Sequence, residues 1–283
     1  MLNLIMGGGE KTNKEDHMAS EKKNHSPEDL QRIQALRLID DDFMNICFDD
    51  YIEGAELLLR IILDRDDLKV SEVRVQKKTT NSHGRNVYLD IYASDKNGAR
   101  YDIEVQRADD GAHQKRARYH SCMVDSYMLD RGEDFTDLRE NYVIFITEHD
   151  VLGLNEPIYH IERVITEHNV HFNDGEHIIY VNASMKSKDT ALGRLMSDFY
   201  CTSAKDMFYD ELSERVKIYK ETEEGVNTVC DILEEMKNEA VERDRIENAI
   251  KMINDGLLSI DMIAKYSGLS IEKVRELAGN KSA

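Results

Sequence analysis

Two short segments of alternating character, residues 87–93 and 101–106, lie close together in the chain. In the first, Val87, Leu89 and Ile91 alternate with Tyr88, Asp90 and Tyr92; in the second, Ile103 and Val105 alternate with Asp102, Glu104 and Gln106. A period of two predicts β-strands with one apolar face. Burial of that face fixes the register, because a slip of one residue turns every side chain over. Asn97-Gly98 alone suggests a two-residue turn, which would pair Asp90 with Val105 and mix the faces. A three-residue loop, Lys96-Asn97-Gly98 with Gly98 left-handed, keeps the faces sorted and sets Asp90 directly opposite Glu104.

A helical period over residues 43–63, carried by Phe43, Ile46, Cys47, Ala55, Leu58, Leu59 and Ile62, predicts a helix before the hairpin, followed by a strand through Val70, Val73 and Val75. After the hairpin comes a basic helix over residues 112–130, closed by Gly132, and then the apolar run 142–146, read as a buried strand. The element order αβββαβ predicts an α/β fold with a mixed sheet flanked by helices. Strand signals stop after Asn182, and residues 190–252 read as acidic helix with an apolar stripe through Met196, Phe199, Met207, Phe208, Leu212, Val216 and Tyr219. Such a stripe packs on its own domain, with self-association into a homo-oligomer as its other use. Residues 258–277 read as a helix-turn-helix, with Gly268-Leu269-Ser270 at the turn, Ser270 as N-cap, and Ile271, Val274 and Leu277 on the buried face. The exposed face of that second helix carries Glu272, Lys273, Arg275 and Glu276, where a major-groove reader shows positive or amide character, so a structural or protein-contact role is favoured. The expected segments are a disordered leader over 1–28, with Met18 as an alternative start, an α/β core over 29–183, an acidic helical region over 184–253 and the terminal hairpin over 254–283.

The hairpin carries the candidate chemistry. Opposed carboxylates in a sheet have Cβ atoms about 5 Å apart, and like charges there are destabilising. One of them holds a proton, or a basic side chain intervenes, or a hard cation such as Mg²⁺ binds both. Two basic readings flank the pair. Lys115, Arg116 and Arg118 begin the helix after the hairpin, and helical spacing puts His113, Arg116 and His120 on one side of it. Arg116 suits a phosphate through its planar donors, whereas the two histidines read as ordinary, partly exposed residues. Arg85 either contacts a phosphate or caps the sheet edge.

Charge changes the picture. The 283 residues carry a formal net charge of −19, which disfavours a polyanionic partner unless basic residues cluster. They do so over residues 69–119, with eleven Lys and Arg against seven Asp and Glu. The four cysteines are widely spaced with no C-x-x-C, which excludes a disulfide framework or zinc site. The sequence shows no signal peptide and no span long enough for a membrane, so a reduced, cytoplasmic protein is expected.

The stretches GRNVYLDIYASDKNGARYDIEVQR, HQKRARYHSCMVDSYML, ENYVIFITEHDVLG, PIYHIERVI and DGEHIIYVN resemble the successive blocks of PD-(D/E)XK nuclease family transposases, related to the Rpn recombination-promoting nucleases. The resemblance runs from about residue 43 to beyond 198. It implies a restriction-endonuclease-like core, Asp90 and Glu104 as metal ligands with the Val105 carbonyl as a third, Mg²⁺ (or Mn²⁺) as cofactor and DNA as partner. It also implies a first-helix acid at Glu53, with Glu56 as substitute. Gln106 stands where the wider superfamily has lysine. An amide orients water through hydrogen bonds but supplies no positive charge, which shifts work to the metal. The implied function is a metal-dependent DNA endonuclease of transposition or recombination; a catalytically weak DNA-binding relative and a protein-interaction role are the alternatives.

Overall fold

A computed structural model describes residues 25–80 and 86–279. Arg85 and the expected leader up to residue 24 lie outside the described residues. Helix α1 (Pro27–Ala35) takes in the last two positions of that expected leader, its first turn capped by Ser26, whose hydroxyl accepts the Asp29 N–H. The helical period over 43–63 is split into α2 (Asp41–Phe48) and α3 (Ile52–Leu63). The break falls at Asp50, which adopts the left-handed conformation (φ 50°), one that aspartate tolerates better than most residues. Both helices still bury their apolar faces, so the periodicity was continuous while the backbone was not.

Three antiparallel strands follow: β1 (Val70–Thr79), β2 (Val87–Asp95) and β3 (Arg100–Gln106). After a 3-10 turn at Asp109–Ala112 comes α4 (Gln114–Ser126), which ends short of the expected residue 130. Next are β4 (Asn141–Thr147), β5 (Ile158–Ile161), a separate ribbon of β6 (Val164–Ile165) and β7 (Val170–His171), and β8 (Glu176–Asn182). The main sheet has the order β1-β2-β3-β4-β8-β5. Strands β3, β4 and β8 are parallel, and β5 closes the edge antiparallel to β8. The chain therefore follows the αβββαβ order, with α2 and α3 on one face and α4 on the other.

The β2–β3 hairpin has the expected three-residue loop. Ile91 pairs with Ile103 and Ser94 with Arg100, and Gly98 is left-handed at φ 87°. Asp95 organises the turn: its Oδ1 accepts the N–H groups of Asn97 (2.8 Å) and Ala99 (3.0 Å), and its Oδ2 accepts the Tyr101 hydroxyl (3.1 Å). The expected uniform apolar face of β2 is interrupted, however. Ile91 and Ala93 join the main core under α2 and α3, whereas Val87 and Leu89 pack with Tyr92 and with Met123 and Val124 of α4. The switch falls at Asp90, opposite Gln76 of β1, which is itself left-handed (φ 48°) between the pairs Val75–Ile91 and Lys77–Leu89. A left-handed residue inside a strand turns the chain locally and breaks the two-residue alternation.

Beyond the sheet lie α5 (Ala191–Tyr200), α6 (Asp210–Glu221), the 33-residue α7 (Glu223–Asp255), α8 (Ile260–Ser267) and α9 (Ile271–Gly279). The acidic helical region expected over residues 184–253 packs into the main core. Leu195, Met196, Phe199, Leu212, Val216, Val229 and Leu233 are buried with Leu58, Leu59 and Ile144. Of the predicted stripe, Phe208 alone is exposed. After Leu233 the residues of α7 are exposed or half-buried up to Ala249, where α8 and α9 build a second small core with Ile263, Ala264, Leu269 and Val274. The terminal hairpin turns at left-handed Gly268, and the Ser270 hydroxyl accepts the Lys273 N–H (3.1 Å), the N-cap the sequence predicts.

A buried carboxylate cluster as candidate active site

The β2–β3 ladder stops at the pair Ile91–Ile103, and side chains replace its next hydrogen bonds. The Asp90 carboxylate accepts the Val105 N–H (3.4 Å), and the Glu104 carboxylate accepts the Asp90 N–H (3.1 Å). Each acid thus binds the backbone of the opposite strand, which holds the two close together. Since the N–H and C=O of an extended residue leave the same strand edge, the Val105 carbonyl also faces β2. Gln76 donates its amide to the other Asp90 oxygen (3.2 Å). The left-handed turn at Gln76 is what brings β1 into the cluster.

Helix α4 covers this face. Its third residue, Arg116, donates to Glu104 Oε2 (2.7 Å), Gln106 Oε1 (3.2 Å), the Gly111 carbonyl (3.0 Å) and His120 Nε2 (3.2 Å). His120 Nδ1 lies 2.8 Å from Asp102 Oδ2 and 3.5 Å from Glu104 Oε1. A Cβ at Gly111 would meet the Gln106 amide oxygen, so a side chain there would displace Gln106 from its present position. Among the described residues, three carboxylates therefore face a single guanidinium. Asp102 and Glu104 are fully buried, and Asp102 Oδ1 has no hydrogen-bond partner.

Burial raises all three acids. Asp90 is pushed up to about 6, by burial first and then by the charge of Asp41, against the lowering effects of the Val105 N–H, Arg116 and Gln76. Glu104 is raised well above the ordinary range by burial and by Asp102 and Asp90, against the lowering effect of Arg116. Asp102 is raised by burial and by Asp90. The chemistry of the set, carboxylate oxygens short of positive charge, suits a hard divalent cation. Asp102, Glu104 and His120 also bring one ligand atom each within 4.8 Å of one another.

The expected site residues separate into two groups. Asp90, Glu104, Val105, Gln106 and Arg116 converge. Glu53 does not join them, being exposed on α3. Glu56, the substitute, serves the fold: its carboxylate accepts from Lys69 Nζ and from the Val70 N–H, both at 3.0 Å, and pairs with Arg60. The helix acid that acts on Asp90 is Asp41, at the start of α2. Both line a cleft of about 510 Å³ together with Gln76, Tyr88 and Glu235. Lys115 and Arg118 lie exposed on α4, at spacings that do not share Arg116's face. His113 caps α4 through its ring, accepting the Lys115 N–H (3.0 Å). His120, expected to be partly exposed, is buried and central. Asp41, Gln76, Asp102 and His120 were not assigned from the sequence. The strand period had placed Asp102 beside Glu104, and the helix period had placed His120 beside Arg116.

A raised carboxyl has a defined effect on stability. Asp90 holds its proton to higher pH in the folded chain than in the unfolded one. Its contribution is therefore full below about pH 4 and is lost as pH rises through about 6. In metal-free protein, wild type should lose stability relative to Asp90→Asn across that window, by on the order of 3 kcal/mol. Thermal melts of both proteins from pH 4 to 7 measure the difference; parallel curves would remove the strain assigned to Asp90.

The model of the PD-(D/E)XK nuclease family transposases matches residues 56–262, from α3 through the whole sheet into α8. No curated protein and no solved structure matches the chain. Among the described residues no helix is long and apolar enough to cross a membrane. The αβββαβ order and the six-stranded mixed sheet flanked by helices are those of a restriction-endonuclease-like core, and the chain belongs to the PD-(D/E)XK nuclease family transposases.

Proposed function

We propose that this protein is a metal-dependent DNA endonuclease that hydrolyses phosphodiester bonds in transposition or recombination. Family membership supports a nuclease-type function. The observation that carries the finer reading is the convergence of Asp90 and Glu104 where the β2–β3 ladder ends. Asp90 and Glu104 would hold a divalent cation, Mg²⁺ or Mn²⁺, with the Val105 carbonyl as a third ligand. When bound, such a cation lowers the pKa of water and neutralises charge on phosphate.

The remaining roles belong to the chain's own groups. Gln106 orients water through its amide, its carbonyl oxygen being held by Arg116. Arg116 supplies, from α4, the positive charge that lysine supplies from the strand elsewhere in the superfamily, and it is the group suited to the scissile phosphate. Asp41 takes the first-helix position expected of Glu53. The cleft beside Asp90 has acidic walls, including Asp41, Asp42 and Asp49 of α2 and Glu235 and Glu239 of α7. A polyanion entering it needs cations there, which favours metal dependence over metal-free hydrolysis. Lys115 and Arg118, exposed on α4, are the proposed contacts to the DNA backbone, with Arg85 a further candidate.

Purified protein incubated with supercoiled plasmid is expected to nick or linearise it in Mg²⁺ or Mn²⁺ but not in EDTA. Asp90→Ala should lose at least about 100-fold in rate, the scale of a lost transition-state interaction. Binding without cutting in every metal tested would replace the endonuclease reading with that of a DNA-binding relative. In a separate measurement, the double variant Lys115→Ala/Arg118→Ala should weaken DNA binding and flatten the log–log salt slope by about 2, one unit per lost phosphate contact. An unchanged slope would remove α4 from the DNA interface.

A further inference from the structure

Among the described residues Arg116 is the guanidinium bonded to the carboxylate cluster, and two buried residues that have been given no part in the chemistry touch it or its neighbour. We infer, on the nuclease reading above, that His120, fixed in a single tautomer by Asp102, is a positioning residue that holds the Arg116 guanidinium against Glu104 and Gln106.

The proton count on the ring follows from the contacts. A guanidinium only donates, so the Arg116 Nε–H at 3.2 Å requires a lone pair on His120 Nε2. The imidazole is then neutral with its hydrogen on Nδ1, where Asp102 Oδ2 accepts it at 2.8 Å. A carboxylate on the far nitrogen is the arrangement that sets a histidine tautomer. Asp102 is 0% and His120 2% exposed, so water does not compete for either nitrogen. Glu104 Oε1 lies 3.5 Å from Nδ1, and the Phe145 ring faces the imidazole with centroids 5.9 Å apart. Neither offers Nε2 a hydrogen.

Two other uses of the same residues conflict with these contacts. An Asp102–imidazolium ion pair puts a second hydrogen on Nε2, donor against donor with Arg116. A cation held by Asp102, Glu104 and His120 takes the Nδ1 lone pair and removes the hydrogen that Asp102 accepts. The alternatives therefore differ in where His120 carries hydrogen. Positioning matters because a long side chain placed about 1 Å away from its productive geometry costs on the order of 100-fold in rate, and arginine has considerable rotamer freedom to lose.

The test is ¹⁵N–¹H NMR of the histidine rings and arginine Nε–H groups in the full chain at pH 7.5, metal-free and with Mg²⁺, beside cleavage kinetics. His120 should be neutral with hydrogen on Nδ1, and the Arg116 Nε–H should exchange slowly. In His120→Leu that exchange should speed up at least tenfold, while in His120→Gln, whose amide oxygen can accept the same bond, protection should return. His120→Leu and Arg116→Ala should each lose about 100-fold in kcat with little change in KM, and the double variant should be no worse than Arg116→Ala alone. Hydrogen on Nε2, an unprotected Arg116 Nε–H in wild type, losses that multiply in the double variant, or loss of the Nδ1 hydrogen on adding Mg²⁺ would each overturn the inference. A wild type that never cuts DNA would refute the nuclease reading, and the NMR result would still decide the role of His120.

Discussion

Three carboxylates withdrawn from water and one guanidinium to face them form the constraint on which the rest of this structure depends. In a sheet, two like charges opposite each other are unfavourable even at the surface. Here Asp90, Asp102 and Glu104 are buried and raised toward their protonated forms. The local backbone is bent around them: the β2–β3 ladder ends at Ile91–Ile103, short of the ends of both strands, Gln76 turns left-handed, and Gly111 leaves room for Gln106 beneath Arg116. None of these features improves packing. Each delivers a polar group to the cluster, and together they accept strain for chemistry, as functional sites do.

The charge of the whole chain makes the same demand from outside. Arg116 points into the acids, Arg107 pairs with Asp40 and Glu148, and the cleft beside Asp90 is walled by aspartates of α2 and glutamates of α7. The local excess of Lys and Arg over residues 69–119 is therefore partly consumed within the fold. A divalent cation between Asp90 and Glu104 would relieve the repulsion inside the sheet and lower the barrier to an approaching phosphate. One ion meets both needs, which is the physical reason to place it there.

How much was legible in the sequence depended on the range of the forces involved. The loop and register of the hairpin were readable, because a left-handed Gly98 and the opposition of Asp90 to Glu104 are local, whereas the switch of faces at Asp90 depends on β1 and α4 and was not. The αβββαβ order and the capped terminal hairpin were readable for the same reason. The break at Asp50 was not, since a left-handed aspartate leaves no mark in the apolar period that spans it. Glu53, which the resemblance implies, lies exposed on α3, and it is the start of α2 that brings an acid, Asp41, to Asp90. His120 was grouped correctly with Arg116 but expected to be exposed; its burial depends on where α4 settles on β3 and β4. The helices after residue 184 read as an acidic region because their charges are frequent, while the few apolar positions that tie them to the core are spaced too widely to show it.

The most direct test of the central claim is an anomalous difference map from crystals of the full chain grown or soaked with Mn²⁺. The account predicts a peak about 2.1 Å from carboxylate oxygens of both Asp90 and Glu104, with Arg116 still bonded to His120. No peak at that position, or a peak held instead by Asp102, Glu104 and His120, would contradict it.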